Sequence, residues 1–154
     1  MSAGRLSAEH ASLLAAVLER LIPTDEHGPG AREAGVARYI ERSLGAEHRE
    51  HCDAYFRGLS AMQASALARH GSAFELLGGA DQDAILTESE RAGAGGGFFE
   101  LVRAHALEGM FGDPRWGGNA GRVGWALLGY PGPRRVWTAD DQDLDVVPDR
   151  QPPA

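Results

Sequence analysis

The sequence holds no lysine; all 15 of its basic residues are arginine. That absence excludes whole classes of chemistry whatever the fold. A Walker-type phosphate loop needs a lysine at the phosphates. Schiff-base catalysis and Ser–Lys dyads need one as nucleophile or base. Cysteine is almost as scarce: the lone Cys52 allows no internal disulfide and no cysteine-rich zinc or iron–sulfur site. Apolar runs are short and broken by charge, so no segment reads as membrane-inserted. Positive charge is in deficit, with a formal net charge of −7 and no basic cluster beyond "PRRV" at Arg134 and Arg135. A nucleic-acid partner, which calls for a positive stripe along its phosphates, is not expected. There is no Gly-x-Ser-x-Gly elbow and no His-Glu-x-x-His. "GAGGGFF" is no dinucleotide fingerprint, because no strand precedes it and Phe98 stands where the last glycine belongs. The opening "MSAGRLSAEH" has neither an apolar h-region nor a twin arginine, which gives the expectation of a cytoplasmic protein.

What is present is helical. A length of 154 residues with 43% hydrophobic and 24% charged content suits one globular domain. Leu13, Leu14, Val17, Leu18 and Leu21 recur at helical spacing behind Ser7, a plausible N-cap, and predict a helix over Ser7 to Leu21. "IPTDEHGPG" breaks it with turn residues. Further helices are predicted over Ala31 to Leu44, Ala46 to His70, Ala80 to Arg91 and Phe98 to Met110. Ala92 to Gly97 reads as a flexible spacer. "GRVGWALLGYPGP" suggests one or two last turns before Tyr130. No strand alternation of useful length and no repeat appears. The expected fold is all-α, a single domain of about five to six helices with long Gly-rich connections in its C-terminal half. Residues 1–138 form that domain. Residues 139–154, with five Asp and three Pro, read as an acidic disordered tail.

Three groupings could carry chemistry. "HREHC" sets His48, His51 and Cys52 at i, i+3 and i+4, one face of a helix and a conceivable metal site. No fourth ligand stands nearby, and a solvated helix face with the cysteine turned inward is the preferred reading. "TDEH", Thr24 to His27, could act as a general-base cluster, but helix capping or solvent exposure is the commoner use. His105, flanked by apolar Leu101 and Met110, and Asp113 are the acid–base candidates of a stand-alone enzyme.

The most unusual stretch is "GMFGDPRWGGN", Gly109 to Asn119. Five of its eleven positions are Gly or Pro, yet it carries Met110, Phe111 and Trp116. Gly112-Asp113-Pro114 is turn chemistry, and Gly117-Gly118-Asn119 permits positive φ. Trp116 and Trp125 are large rigid surfaces that serve either a core or an interface.

"LIPTDEHGPGAREAGVARYIE", "FFELVRAHALEGMFGDPRWGGN" and "GWALLGYPG", in this order and spacing, resemble the gluconate 2-dehydrogenase subunit 3 family. The resemblance runs from about Leu13 to Pro133 and is more specific than any single motif above. It implies a small non-catalytic accessory subunit without a cofactor of its own. The partner it implies is a large glucose-methanol-choline type flavoprotein that carries FAD and oxidises sugars, sugar acids or polyols. An electron-acceptor protein commonly joins such complexes. On this reading Phe111, Asp113, Pro114, Trp116, Gly117, Gly118, Asn119 and Trp125 form the partner-binding segment, and His105 reaches toward the partner's active site. The alternatives are the small enzyme using His105 and Asp113, and a plain interaction module.

Overall fold

A computed structural model describes residues 6–93 and 97–133. Six α-helices, joined by turns and short 3-10 segments, make up the described residues, and no strand is among them. The chain is an all-α domain, as expected. The tail 139–154 and the arginines of "PRRV" lie outside the described residues, as do three residues of the Ala92 to Gly97 spacer.

Helix α1 (Ala8–Leu21) starts where the Ser7 hydroxyl accepts a hydrogen bond from the His10 amide. It stops at the Ile22-Pro23 pair, because a residue before proline is pushed out of helical geometry. Leu13, Leu14, Val17 and Leu18 form its buried stripe. This stripe is the centre of the core, with α1 packed against α2, α3, α4 and α5. The loop after α1 folds onto itself. Thr24 and Glu33 share a hydrogen bond, and both accept from the Gly30 amide. Asp25 takes the His27 amide at 2.8 Å in a tight Asx turn. The oxygens of "TDEH" thus shape a turn.

Helix α2 (Val36–Leu44) begins five residues later than its hydrophobic pattern suggests. Gly35 has φ +69°, a left-handed value that no α-helix interior accepts, so Ala31 to Gly35 form turns and the helix starts after them. Helix α3 (Cys52–His70) also starts late. His48 sits at φ −107°, a 3-10 turn spans Arg49–His51, and only then does regular helix follow. Tyr55, Leu59, Met62 and Ala66 are its buried face, and Gly71 at φ +65° closes it.

A 3-10 turn over Phe74–Leu76 buries Phe74 fully and leaves Leu76 outside. Helix α4 (Gly79–Ala92) contributes Ile85 and Leu86 to the core. It is tied to α1 by the two-pronged Arg20–Asp83 pair, at 2.8 and 2.7 Å. Helix α5 (Phe98–Phe111) turns Val102, His105, Ala106, Gly109 and Met110 inward. It crosses α3 closely because Gly58 leaves room for the Phe98 ring, which packs edge-on against Tyr55 at 5.4 Å. Gly109 does the same against Val36 and Tyr39 of α2.

Candidate functional site

Two features stand out from this frame, both built on α5. The first is the segment that follows it. Gly112 ends the helix, its amide bonding the Glu108 carbonyl at 2.8 Å. Asp113 caps a 3-10 turn over Pro114–Trp116: its carboxylate accepts the Arg115 amide and pairs with the Arg115 guanidinium, both at 3.0 Å. Gly117 then adopts φ +100°, and the chain doubles back over the end of α5. The return is backbone on backbone. A Cβ on Gly118 would collide with the Gly109 carbonyl, and one on Gly124 with that of Met110.

Asn119 is the hub of this segment. It is fully buried and left-handed at φ +44°. Its amide donates to the Gly109 carbonyl at 2.7 Å, and its side-chain NH2 to the Gly112 carbonyl at 2.9 Å. Its side-chain oxygen accepts the Gly124 amide at 2.9 Å. Every polar group of a buried asparagine is thereby used, which is what burial demands. A short last helix, α6 (Val123–Leu127), follows. Trp125 of α6 is 7% exposed, and its indole N–H donates to the Phe111 carbonyl at 2.7 Å.

The sequence-predicted docking residues therefore divide. Gly118, Asn119 and Trp125 are the buried fastening, and Phe111 is half-buried beside them. Trp116 is 50% exposed, with the Arg115 guanidinium 5.6 Å from its ring centre. The same C-terminal segment leaves Leu127, Leu128 and Tyr130 outside, and α5 adds Leu107. Sequence reasoning missed these four. The "LL" and "Y" after Trp125 were the available signal, since α6 is too short to bury both leucines.

The second feature surrounds His105, which is buried at 4% exposure. Its Nδ1 lies 3.0 Å from the Tyr55 hydroxyl, and its ring stacks on His48 at 4.2 Å. His51 closes the group, with ring centroids 5.4 Å from His105. Burial first, then the neighbouring His48, push the His105 pKa down to about 4, so the ring is neutral at pH 7. Burial likewise raises the Tyr55 hydroxyl well above its usual range, which keeps it protonated. Glu108 borders the cluster, accepting the Tyr39 hydroxyl at 2.9 Å and lying 3.2 Å from His48 Nε2.

Two sets of residues that the sequence names together are separated by the structure. His48, His51 and Cys52 do not share a helix face, because His48 and His51 precede regular helix; Cys52 donates its thiol to the Leu44 carbonyl. The third member of the cluster is His105. His105 and Asp113 do not form a pair either. About 9 Å of helix separates His105 from the last residue of α5, and Asp113 is engaged by Arg115 beyond that end.

These features define a class: a small all-α protein whose irregular C-terminal segment is fastened from beneath and exposes apolar side chains on top. Residues 8–132 match the family of gluconate 2-dehydrogenase subunit 3, and the chain belongs to that family. No curated protein and no solved structure matches it. The family name implies association with a dehydrogenase complex. Among the described residues no helix is long and apolar enough to cross a membrane.

Proposed function

We propose that this chain is a non-catalytic subunit that docks on a large FAD-dependent dehydrogenase of the glucose-methanol-choline type and stabilises it. The partner's substrates are sugars, sugar acids or polyols, and the flavin belongs to the partner. Family membership supports the reading. The observation that carries it is the fastened segment. Asn119 and Trp125 hold an irregular backbone rigid while Trp116 stays half exposed, an arrangement that costs a folded protein something and gains it nothing internally. Large aromatic side chains on a preorganised backbone are the usual anchors of protein interfaces.

The test is co-expression of the large flavoprotein with and without this chain. The expected result is co-elution, and a flavoprotein that is more soluble and better loaded with FAD when the chain is present. A flavoprotein equally soluble, active and FAD-loaded alone, which never co-elutes with the chain, would sink the proposal.

A further inference from the structure

We propose that His48, His51 and His105 form a binding site for a divalent transition-metal ion of the zinc class, seated where the α2–α3 junction meets α5. The inference stands apart from the docking segment proposed above, Phe111 to Trp125, which contains none of these side chains.

One ligand nitrogen from each ring falls within 4.8 Å of the other two. Three imidazoles are a donor set for zinc, copper or nickel; magnesium and calcium take oxygen ligands. A tetrahedral zinc with bonds of about 2.0–2.1 Å holds its donors about 3.3 Å apart, so the rings must close by about 1 Å or more. The structure allows this on one side and anchors it on the other. His48 and His51 sit at a 3-10 turn, with side chains 23% and 36% exposed, and can rotate without disturbing the core. His105 is fixed in the core by Tyr55.

The surroundings fit as well. In the tautomer that donates Nδ1–H to the Tyr55 hydroxyl, the lone pair of His105 is on Nε2. Ligand histidines are commonly held in this way, by a hydrogen bond from the second ring nitrogen. The Glu108 carboxylate, braced by Tyr39, lies 3.2 Å from His48 Nε2. It can orient His48 or take the fourth position on the metal. Glu50 stands 3.8 Å from His51, so two carboxylates offset the charge of a divalent cation.

The experiment uses the full chain, prepared without a polyhistidine tag and stripped with chelator. Zinc titration by calorimetry is expected to give one ion per chain. Cobalt(II) is expected to give the visible bands of a low-coordinate site, and zinc to abolish them. Magnesium should neither bind nor compete. His51→Ala is expected to weaken zinc binding more than about tenfold, while Cys52→Ser leaves it unchanged. Because His51 is part-exposed, its alanine variant should keep the circular dichroism and melting temperature of the metal-free parent, which separates ligand loss from unfolding. Absence of stoichiometric binding would overturn the proposal. So would affinity unchanged in both His51→Ala and His48→Ala, or affinity lost in Cys52→Ser.

Discussion

Asn119 shows how one side chain can decide a segment. Three of its hydrogen bonds reach Gly109, Gly112 and Gly124, all through their backbones. Asn119→Ala removes the side-chain bonds, leaves a buried amide and carbonyl unpaired and keeps a strained φ. The expected loss is about 3 kcal/mol, read from urea unfolding. Gly124→Ala should cost about as much for a steric reason alone, because the new methyl would run into the Met110 carbonyl and press on the Phe111 ring. His105 yields a pH prediction for the metal-free chain. The ring faces His48 and His51 from the α2–α3 junction, Tyr55 from α3 and Glu108 from α5; Glu50, beside His51, is the other nearby charge. Its folded pKa of about 4 lies below the unfolded value of about 6.5, so the unfolded chain binds the proton more readily. Stability is therefore complete above about pH 6.5 and falls as pH drops from there toward 4. A denaturation series across that window checks it, alongside an NMR titration whose midpoint for His105 should lie near 4. A midpoint near 6.5 would show that the ring is solvated.

At the scale of elements, Trp116 and Trp125 separate packing from docking. Trp125→Ala should destabilise the chain by about 3–5 kcal/mol, since it empties a core site and leaves the Phe111 carbonyl unpaired. Trp116→Ala should leave stability within about 0.5 kcal/mol yet weaken capture of the flavoprotein partner by 2 kcal/mol or more, on the order of thirtyfold. Melting curves and pull-down of the two variants side by side check both halves. Most elements were legible in the sequence. The apolar positions Leu13-Leu14-Val17-Leu18 and Phe98-Leu101-Val102-Leu107 announce α1 and α5, and their ends fall within a residue of expectation. The misplaced starts of α2 and α3 have a local cause. Hydrophobic period continues through Ala31 and Ala34, both buried, although the backbone there is turned by a left-handed glycine. Periodicity reports burial, and burial does not require helix. The histidine cluster was illegible for a different reason. His48 and His51 were read against their helical neighbour Cys52, whereas the ring that joins them comes from a distant helix. Packing of α5 against α2 at Gly109 and against α3 at Gly58 and Phe98 brings the two regions together.

For the molecule as a whole, the segment after α5 exposes apolar side chains, and the histidine cluster lies beside Glu108 in the last turns of the same helix. Polar fastenings lie beneath the apolar residues of the docking segment, so the exposed side chains can be altered with little penalty to the fold. The combined variant Trp116→Ala/Leu128→Ala should stay folded by circular dichroism and lose co-elution with the flavoprotein more completely than either change alone. A variant that still co-elutes fully would move the docking surface elsewhere on the chain.

The stitching of residues 117–125 onto α5 also bears on time. A loop that had to find its shape during association would slow the encounter and make its rate depend on folding. Here the backbone is already tied at Gly109, Phe111 and Gly112 before any partner arrives. Association should proceed as the collision of two formed surfaces, at the ordinary rate of about 10⁵–10⁷ M⁻¹s⁻¹ for orientationally constrained docking. Differences among Trp116 variants should then appear in how long the complex lasts rather than in how quickly it forms.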